Sequence, residues 1–538
     1  MDGGLIDSSA RERQESRPEP ALAVLSAIAL ICLALYCALS AASVTVGGAK
    51  FITNPADTTY PESANIYMAV TAARTGHLYA TFTQPPYLTQ AYGPLYYAII
   101  AAIARASHLD FDLVRVRVRL LTYACFLLSA AIIFLICKRL RFSMVSSTLA
   151  ALVFLGQPYF LTWSVSVRPD LMLVMVMLLS LLWAIEGDAL NGGGYLLSGL
   201  LAGLAFLIKQ PGIAAPIAVL AILLYRKKFK SAGVYASGAG VPVALVIGGL
   251  LWRGGPFLEQ FAAVGKNSWS LANAGLFALS RMSELTMVIP IAIGAIGLVQ
   301  AVRAANVPAQ MIAAFAVANW MVGFSGLPQL GGDVNYFFPG VAACALLLPF
   351  ALQMIRRDLH SKAFFVLIIV ALLSVSWLQA DSERRAFFIR QRQPERALDV
   401  LGPFKILSDR PAFTLHGRDP DLLDPFTNHN LELAGHWDSS PIVQNLRRHD
   451  YDLVIISDRE PWQFVRTFRG ISYFSPAVVK AMNEDYRVLC STPSSAVLQP
   501  RTRDVEISPA VLDSVLGEAC DMELQGTAPG LIVSPAAR

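Results

Sequence analysis

The sequence predicts an α-helical polytopic membrane protein of about eleven transmembrane helices, followed by a small soluble α/β domain. Three observations carry that expectation. Hydrophobic residues make up 55% of the 538 and charged residues only 15%, against about a quarter charged in soluble domains. The apolar residues fall in blocks long enough to cross a bilayer. Beyond residue 380 those blocks stop, and short strand and helix patterns replace them. The net charge of +5 is modest, so membrane lipids are expected partners and nucleic acid is not.

Residues 1–20 are polar, carry Arg11, Arg13 and Arg17, and read as a disordered cytoplasmic tail. Residues 21–43 carry no charge and no cleavage pattern, which predicts an uncleaved first span. An outer loop, 44–119, follows. Within it Thr59 and Glu62 have capping-box spacing, with Pro61 between them, so a helix is expected from there to about Gly76. Pro85, Pro86, Gly93 and Pro94 then hold the chain extended and interleave it with Tyr79, Tyr87, Tyr92, Tyr96 and Tyr97. The apolar run 93–106 is short for a crossing and is expected to lie in, or dip into, the outer interface.

Further spans are expected at 120–137, 144–164, 170–186, 195–209, 211–225, 232–252, 285–302, 309–325, 335–354 and 363–378. With the amino terminus inside, the clusters Lys138/Arg139/Arg141, Arg226/Lys227/Lys228/Lys230, Arg303 and Arg356/Arg357/Lys362 all face the cytoplasm. The part beyond 380 then lies outside.

The outer turns gather a polar constellation: Arg168 and Asp170, Lys209 and Gln210, and Asp333, Asn335 and Tyr336. Arg168 and Lys209 sit in tight turns between apolar spans, where a cation is costly and a functional role is the default reading. An Arg fork and a Lys point charge together suit a phosphate. Simpler readings stand beside these. Glu62 has a capping role, Asp57 starts a turn, Arg168 pairs with Asp170 or reaches the headgroups, and Asn335 and Tyr336 anchor at the interface.

The order of motifs, TYPESANIY, then GHLYATFTQPPY, YGPLYY, VRPDL, KQPG and NYFFP, resembles bacterial GT-C glycosyltransferases. These are integral membrane enzymes related to protein O-mannosyltransferases and to aminoarabinose transferases of lipid A. The resemblance covers about residues 20–355. It implies a polyprenyl-phosphate sugar donor, a lipid, glycan or protein acceptor in the cell envelope, and transfer at the outer face of the bacterial inner membrane. It also implies an outer-loop carboxylate as base, Glu62 or Asp57; many relatives have adjacent Asp-Glu where this chain has Pro61 and Glu62. Arg168, Asp170, Lys209, Gln210, Tyr92, Asn335 and Tyr336 would then bind substrate. A single displacement inverts the anomeric centre. No cofactor is expected with certainty; a divalent cation bridged by the carboxylates is compatible, though no dedicated cage is present.

Within the soluble part (380–523), 405–408 reads as a strand, Asp438 to Pro441 cap a helix through Arg448, and 451–457 is a buried strand. A helix over 475–483 and strands at 486–491 and 496–499 complete a small α/β module, with 524–538 a loose tail. Cys490 and Cys520 are its two cysteines, and spacing leaves their pairing open. Two other classes fit the composition. A transporter of lipid-linked sugars would carry repeats and broken helices, which the sequence lacks. A non-catalytic assembly protein would leave the cations in the turns without a purpose.

Overall fold

The computed structural model describes residues 20–55, 57–60, 62–190, 192–266, 269–272, 274–275, 285–304, 306–329, 331–357, 398–456, 467–468, 471–492 and 495–521. The expected amino-terminal tail (bar its last residue), the span at 363–378 and the tail at 524–538 lie outside them.

The first helix, α1 (Pro20–Ala49), runs past the expected end of the first span. Two short helices follow, α2 (Glu62–Thr75) and α3 (Pro94–Ala106). Gly76 takes a φ of 77° just past α2, the left-handed stop that glycine adopts without strain. Next comes α4 (Phe111–Arg139), which Asp110 caps by accepting from the Leu113 amide at 2.8 Å. Its start corrects the expected boundary at 120: Arg115 and Arg119 lie inside a helix rather than ahead of a span, because the cap at Asp110 overrides the charge run.

The expected span 144–164 is also corrected. It divides into α5 (Met144–Leu155) and α6 (Phe160–Trp163), because Gly156 and Pro158 interrupt the run between them. The other expected spans coincide with α7 (Asp170–Ile185), α8 (Gly193–Ile208), α9 (Ala214–Tyr225), α10 (Phe229–Arg253), α12 (Leu285–Arg303), α13 (Val307–Gly326) and α14 (Phe338–Arg357). A short helix, α11 (Phe257–Gly265), lies between α10 and α12. Among the described residues, five helices are long and apolar enough to cross a membrane by length and composition.

Helices α8 and α10 approach most closely where glycines meet. A Cβ on Gly199 would lie 2.2 Å from the Tyr235 carbonyl oxygen, so only glycine permits this backbone contact. Such small-residue contacts replace the hydrophobic drive that lipid removes. Outward-facing Leu35, Leu39 and Leu245 are exposed, as helices bathed in lipid require.

The bundle has two chemically different ends. At one, Arg139 pairs with Glu186 at 3.4 Å, Lys228 pairs with Asp188, and Arg226 donates to Gln310 at 2.8 Å. The basic turns are thereby gathered together. The other end carries the outer loop and the soluble domain.

That domain holds a four-stranded sheet in the order β1 (Ile406–Ser408), β2 (Leu453–Ile456), β6 (Ala496–Pro500), β5 (Tyr486–Ser491). Strands β1 and β2 are parallel and the other neighbours antiparallel. A separate hairpin joins β3 (Thr467–Phe468) and β4 (Ile471–Ser472). Helices α17 (Ser440–Arg447) and α18 (Pro476–Asp485) match the expected helices. Helices α15 (Pro411–His416), α16 (Pro425–Leu433) and α19 (Pro509–Leu516) were not expected. All three are short and begin with Pro, which reads as a loop signal unless its place in the first helical turn is known. Cys490 and Cys520 form a disulfide, with Cα atoms 5.6 Å apart.

A buried ion pair joins the outer loop to the bundle. Glu62 and Arg119 are both fully buried. Arg119 Nε and Nη2 each donate to a Glu62 oxygen at 2.8 Å, in a bidentate fork. The Thr58 amide and hydroxyl (2.7 and 3.0 Å) and the Val167 amide (3.0 Å) donate to the same carboxylate. Arg119 Nη1 reaches the carbonyls of Phe51 and Asn54. This replaces the expected capping box: Glu62 begins α2, Thr58 rather than Thr59 meets it, and the buried Thr59 hydroxyl has no hydrogen-bond partner.

Glu62→Gln leaves a buried guanidinium short of its counter-charge and should cost about 3–5 kcal/mol of stability. A melting temperature unchanged from wild type in lipid nanodiscs would contradict this role. Peptide mapping without reduction should recover Cys490 joined to Cys520, and two free thiols would count against the disulfide.

Candidate active site

Three turns and one loop converge at the end of the bundle opposite the basic turns. The turn before α7 carries Arg168, that after α8 carries Lys209, and that before α14 carries Asn335 and Tyr336. The outer loop supplies Tyr92. Gly93 fixes the approach of that loop: its amide donates to the Ile208 carbonyl at 3.0 Å, and a Cβ there would lie 2.0 Å from the Leu207 oxygen. A larger residue would push the loop off the turn that carries Lys209.

Asp170, at the first position of α7, ties these turns together. Its Oδ1 accepts from Lys209 Nζ at 2.6 Å and from Asn335 Nδ2 at 2.8 Å, and its Oδ2 accepts from Arg168 Nε at 3.3 Å. A helix amino terminus also favours the negative charge. Aromatic faces hold both cations from the sides. Arg168 Cζ lies 4.3 Å from the centre of the Trp163 ring, and Lys209 Nζ lies 4.9 Å from that of Tyr336 and 5.6 Å from that of Tyr92. Arg168 Nη1 donates to the Tyr60 carbonyl at 2.7 Å. Asp333, also on the cavity wall, acts electrostatically on both cations, so Arg168 and Lys209 sit among two carboxylates.

These residues wall a cavity of about 190 Å³ between the bundle and the soluble domain. On the soluble side it is lined by Asp424, Phe426, Thr427, Asn430 and Tyr473. Asp424 caps α16 and accepts from the Tyr60 hydroxyl at 2.6 Å and the Thr427 amide at 3.2 Å. Burial pushes its carboxyl above the usual range despite these donors. The Phe426 and Tyr473 rings lie 5.0 Å apart, and Tyr60 meets Tyr473 edge-on at 5.1 Å.

Of the residues expected in a substrate site, Arg168, Lys209, Gln210, Tyr92, Asn335 and Tyr336 all line this one cavity, with Asp170 buried behind them. Glu62 and Asp57 are not among its lining residues. Burial alone would raise the Glu62 carboxyl, but the Arg119 charge and its hydrogen bonds outweigh that and hold it below the usual range. A carboxylate that already accepts from five donors is a poor proton acceptor. Asp57 accepts from the Ser63 hydroxyl at 2.7 Å and its amide at 3.3 Å. Burial and the neighbouring Glu62 charge raise its carboxyl. Sequence reading missed Tyr60, Asp424, Thr427, Asn430 and Tyr473. The only local signal was Asp424 ahead of Pro425, which marks a helix start and not a site. Among the described residues, no group of three His, Cys, Asp or Glu is placed to hold a metal ion.

Residues 93–252, from the start of α3 through nearly all of α10, match the family profile of dolichyl-phosphate-mannose-protein mannosyltransferase. Among curated proteins, no sequence matches the chain. The fold is similar to that of ArnT from Cupriavidus metallidurans in the apo state, at 14% identity and a TM-score of 0.54, over 86% of this chain and 97% of that one. It is equally similar to ArnT bound to undecaprenyl phosphate, at 14% identity, a TM-score of 0.53 and the same coverage. The likeness to ArnT shows the fold, and the mannosyltransferase profile, over a stretch well under half of the chain, spans the turns that bear Arg168, Asp170 and Lys209.

Proposed function

We propose that this protein transfers a sugar from a polyprenyl-phosphate donor to a lipid, glycan or protein acceptor of the cell envelope, at the outer face of the bacterial inner membrane. One observation carries the reading: Arg168 and Lys209 line a single cavity and share the buried carboxylate of Asp170. The relative that binds undecaprenyl phosphate has the same fold, which supports a carrier phosphate as the anion. Arg168 and Lys209 hold that phosphate, with Tyr92, Gln210, Asn335 and Tyr336 shaping its seat.

The reaction is a direct displacement. The acceptor oxygen or nitrogen forms the new bond to the anomeric carbon while the bond from that carbon to the phosphate oxygen breaks. The electron pair leaves with the phosphate, where the two cations stabilise it. The acceptor proton passes to a carboxylate, and the anomeric configuration inverts. We assign that carboxylate to Asp424, which lines the cavity on the soluble-domain wall and whose burial favours proton uptake against the opposing charge of Arg168. Asp57 is the competing outer-loop base, while Glu62 positions the loop and the Val167 backbone. The basic end of the bundle supports a cytoplasmic amino terminus and an external soluble domain.

Asp424→Asn retains an oxygen to accept from Tyr60 and Thr427, so the fold should persist while transfer falls by about 10² or more. Sugar transfer from a polyprenyl-phosphate donor by purified protein measures this. If Asp57→Asn abolishes transfer and Asp424→Asn does not, the base is Asp57. Arg168→Ala should weaken undecaprenyl phosphate binding by about tenfold or more, and unchanged affinity would sink the clamp. Reporter fusions ending at Lys228 and at Pro420 should report opposite compartments; identical signals would overturn the orientation.

A further inference from the structure

Helix α16 turns one face to the cavity. Asp424, Thr427 and Asn430 recur at helical spacing along it, and all three line the space. Asn430 is only 1% exposed, yet neither its amide nitrogen nor its oxygen has a hydrogen-bond partner in the protein. Buried amides are rarely left this way, because the unsatisfied group has lost water and gained nothing. From the membrane-domain side, the Thr89 hydroxyl and the Asn335 amide oxygen are likewise buried, cavity-lining and unpartnered. Donors and acceptors that carry no charge therefore face one space from both walls. The rings of Phe426 and Tyr473 give it an apolar wall. At about 190 Å³, the cavity has room for a small ligand such as a sugar ring.

The charges limit what that ring carries. The lining cations are Arg168 and Lys209, already tied to Asp170 and assigned to the donor phosphate. The lining carboxylates are Asp333 and Asp424. A uronate would meet two like charges with no cation of its own, whereas hydroxyls would find amide and hydroxyl partners on both walls. We propose that Asn430, with Thr89 and Asn335, forms the recognition subsite for the sugar being transferred, and that this sugar is neutral and hydroxylated rather than acidic. The soluble domain then sets sugar specificity while the membrane domain binds the carrier. This inference rests on the phosphate-clamp reading above.

The test uses the full chain in nanodiscs. Dissociation constants are measured for bare undecaprenyl phosphate and for the same carrier bearing glucose, mannose, galactose or glucuronate. At least one neutral conjugate should bind about tenfold more tightly than the bare carrier. Asn430→Leu and Asn430→Ala should each remove most of that gain, with affinity for the bare carrier within about twofold of wild type. The glucuronate conjugate should gain nothing. The subsite is wrong if no neutral conjugate outbinds the bare carrier, if the gain survives both substitutions, or if glucuronate binds most tightly. Arg168→Ala separates the two claims: if it leaves bare-carrier affinity intact, the clamp fails, and if it weakens both carriers while Asn430 variants change nothing, only the sugar subsite fails.

Discussion

The site depends on a single buried carboxylate. Asp170 accepts hydrogen bonds from Lys209, Arg168 and Asn335, three residues from three separate turns. Without it, two cations held next to each other away from bulk water would repel and seek solvent. With it, they stay side by side at a cavity wall, with Asp170 between them and Asp333 within electrostatic reach of both. The aromatic faces of Trp163, Tyr92 and Tyr336 hold the cations from directions the carboxylate does not cover.

A second buried carboxylate does different work. Glu62 is matched by the Arg119 fork and three further donors, so its charge is fully compensated and its geometry is fixed. Its reach to the Val167 amide sets the backbone one residue before Arg168. The outer loop, α4 and the turn that bears Arg168 are thereby locked as one unit. Compensation makes the difference between these carboxylates: Glu62 anchors, whereas Asp424 has been desolvated without a cation fork and keeps its appetite for a proton.

The soluble domain closes the cavity. Tyr60 of the outer loop donates to Asp424 and packs edge-on to Tyr473. The Leu423 amide donates to the Pro86 carbonyl at 3.2 Å, and Tyr87 packs into the core beside β2 and α18. The tyrosines and prolines of the outer loop are thus the surface on which the domain is seated. This explains their density in a segment that is otherwise polar.

By itself, the sequence determined the membrane class, most of the long apolar helices, the strands around 453 and 486–500, and the cations and polar residues in the turns. All of these rest on local signals, such as apolar run length, the period of a strand, or the anomaly of a charge between two spans. Tertiary structure alone decided which charges meet. Arg119 reads locally as a flanking charge yet completes Glu62, 57 residues away in sequence. Asp424 and Asn430 read as part of a short helix in a separate domain, yet they wall the same cavity as Arg168. A carboxylate's role is set by the donors and cations packed around it, and those come from distant segments that no local pattern brings together.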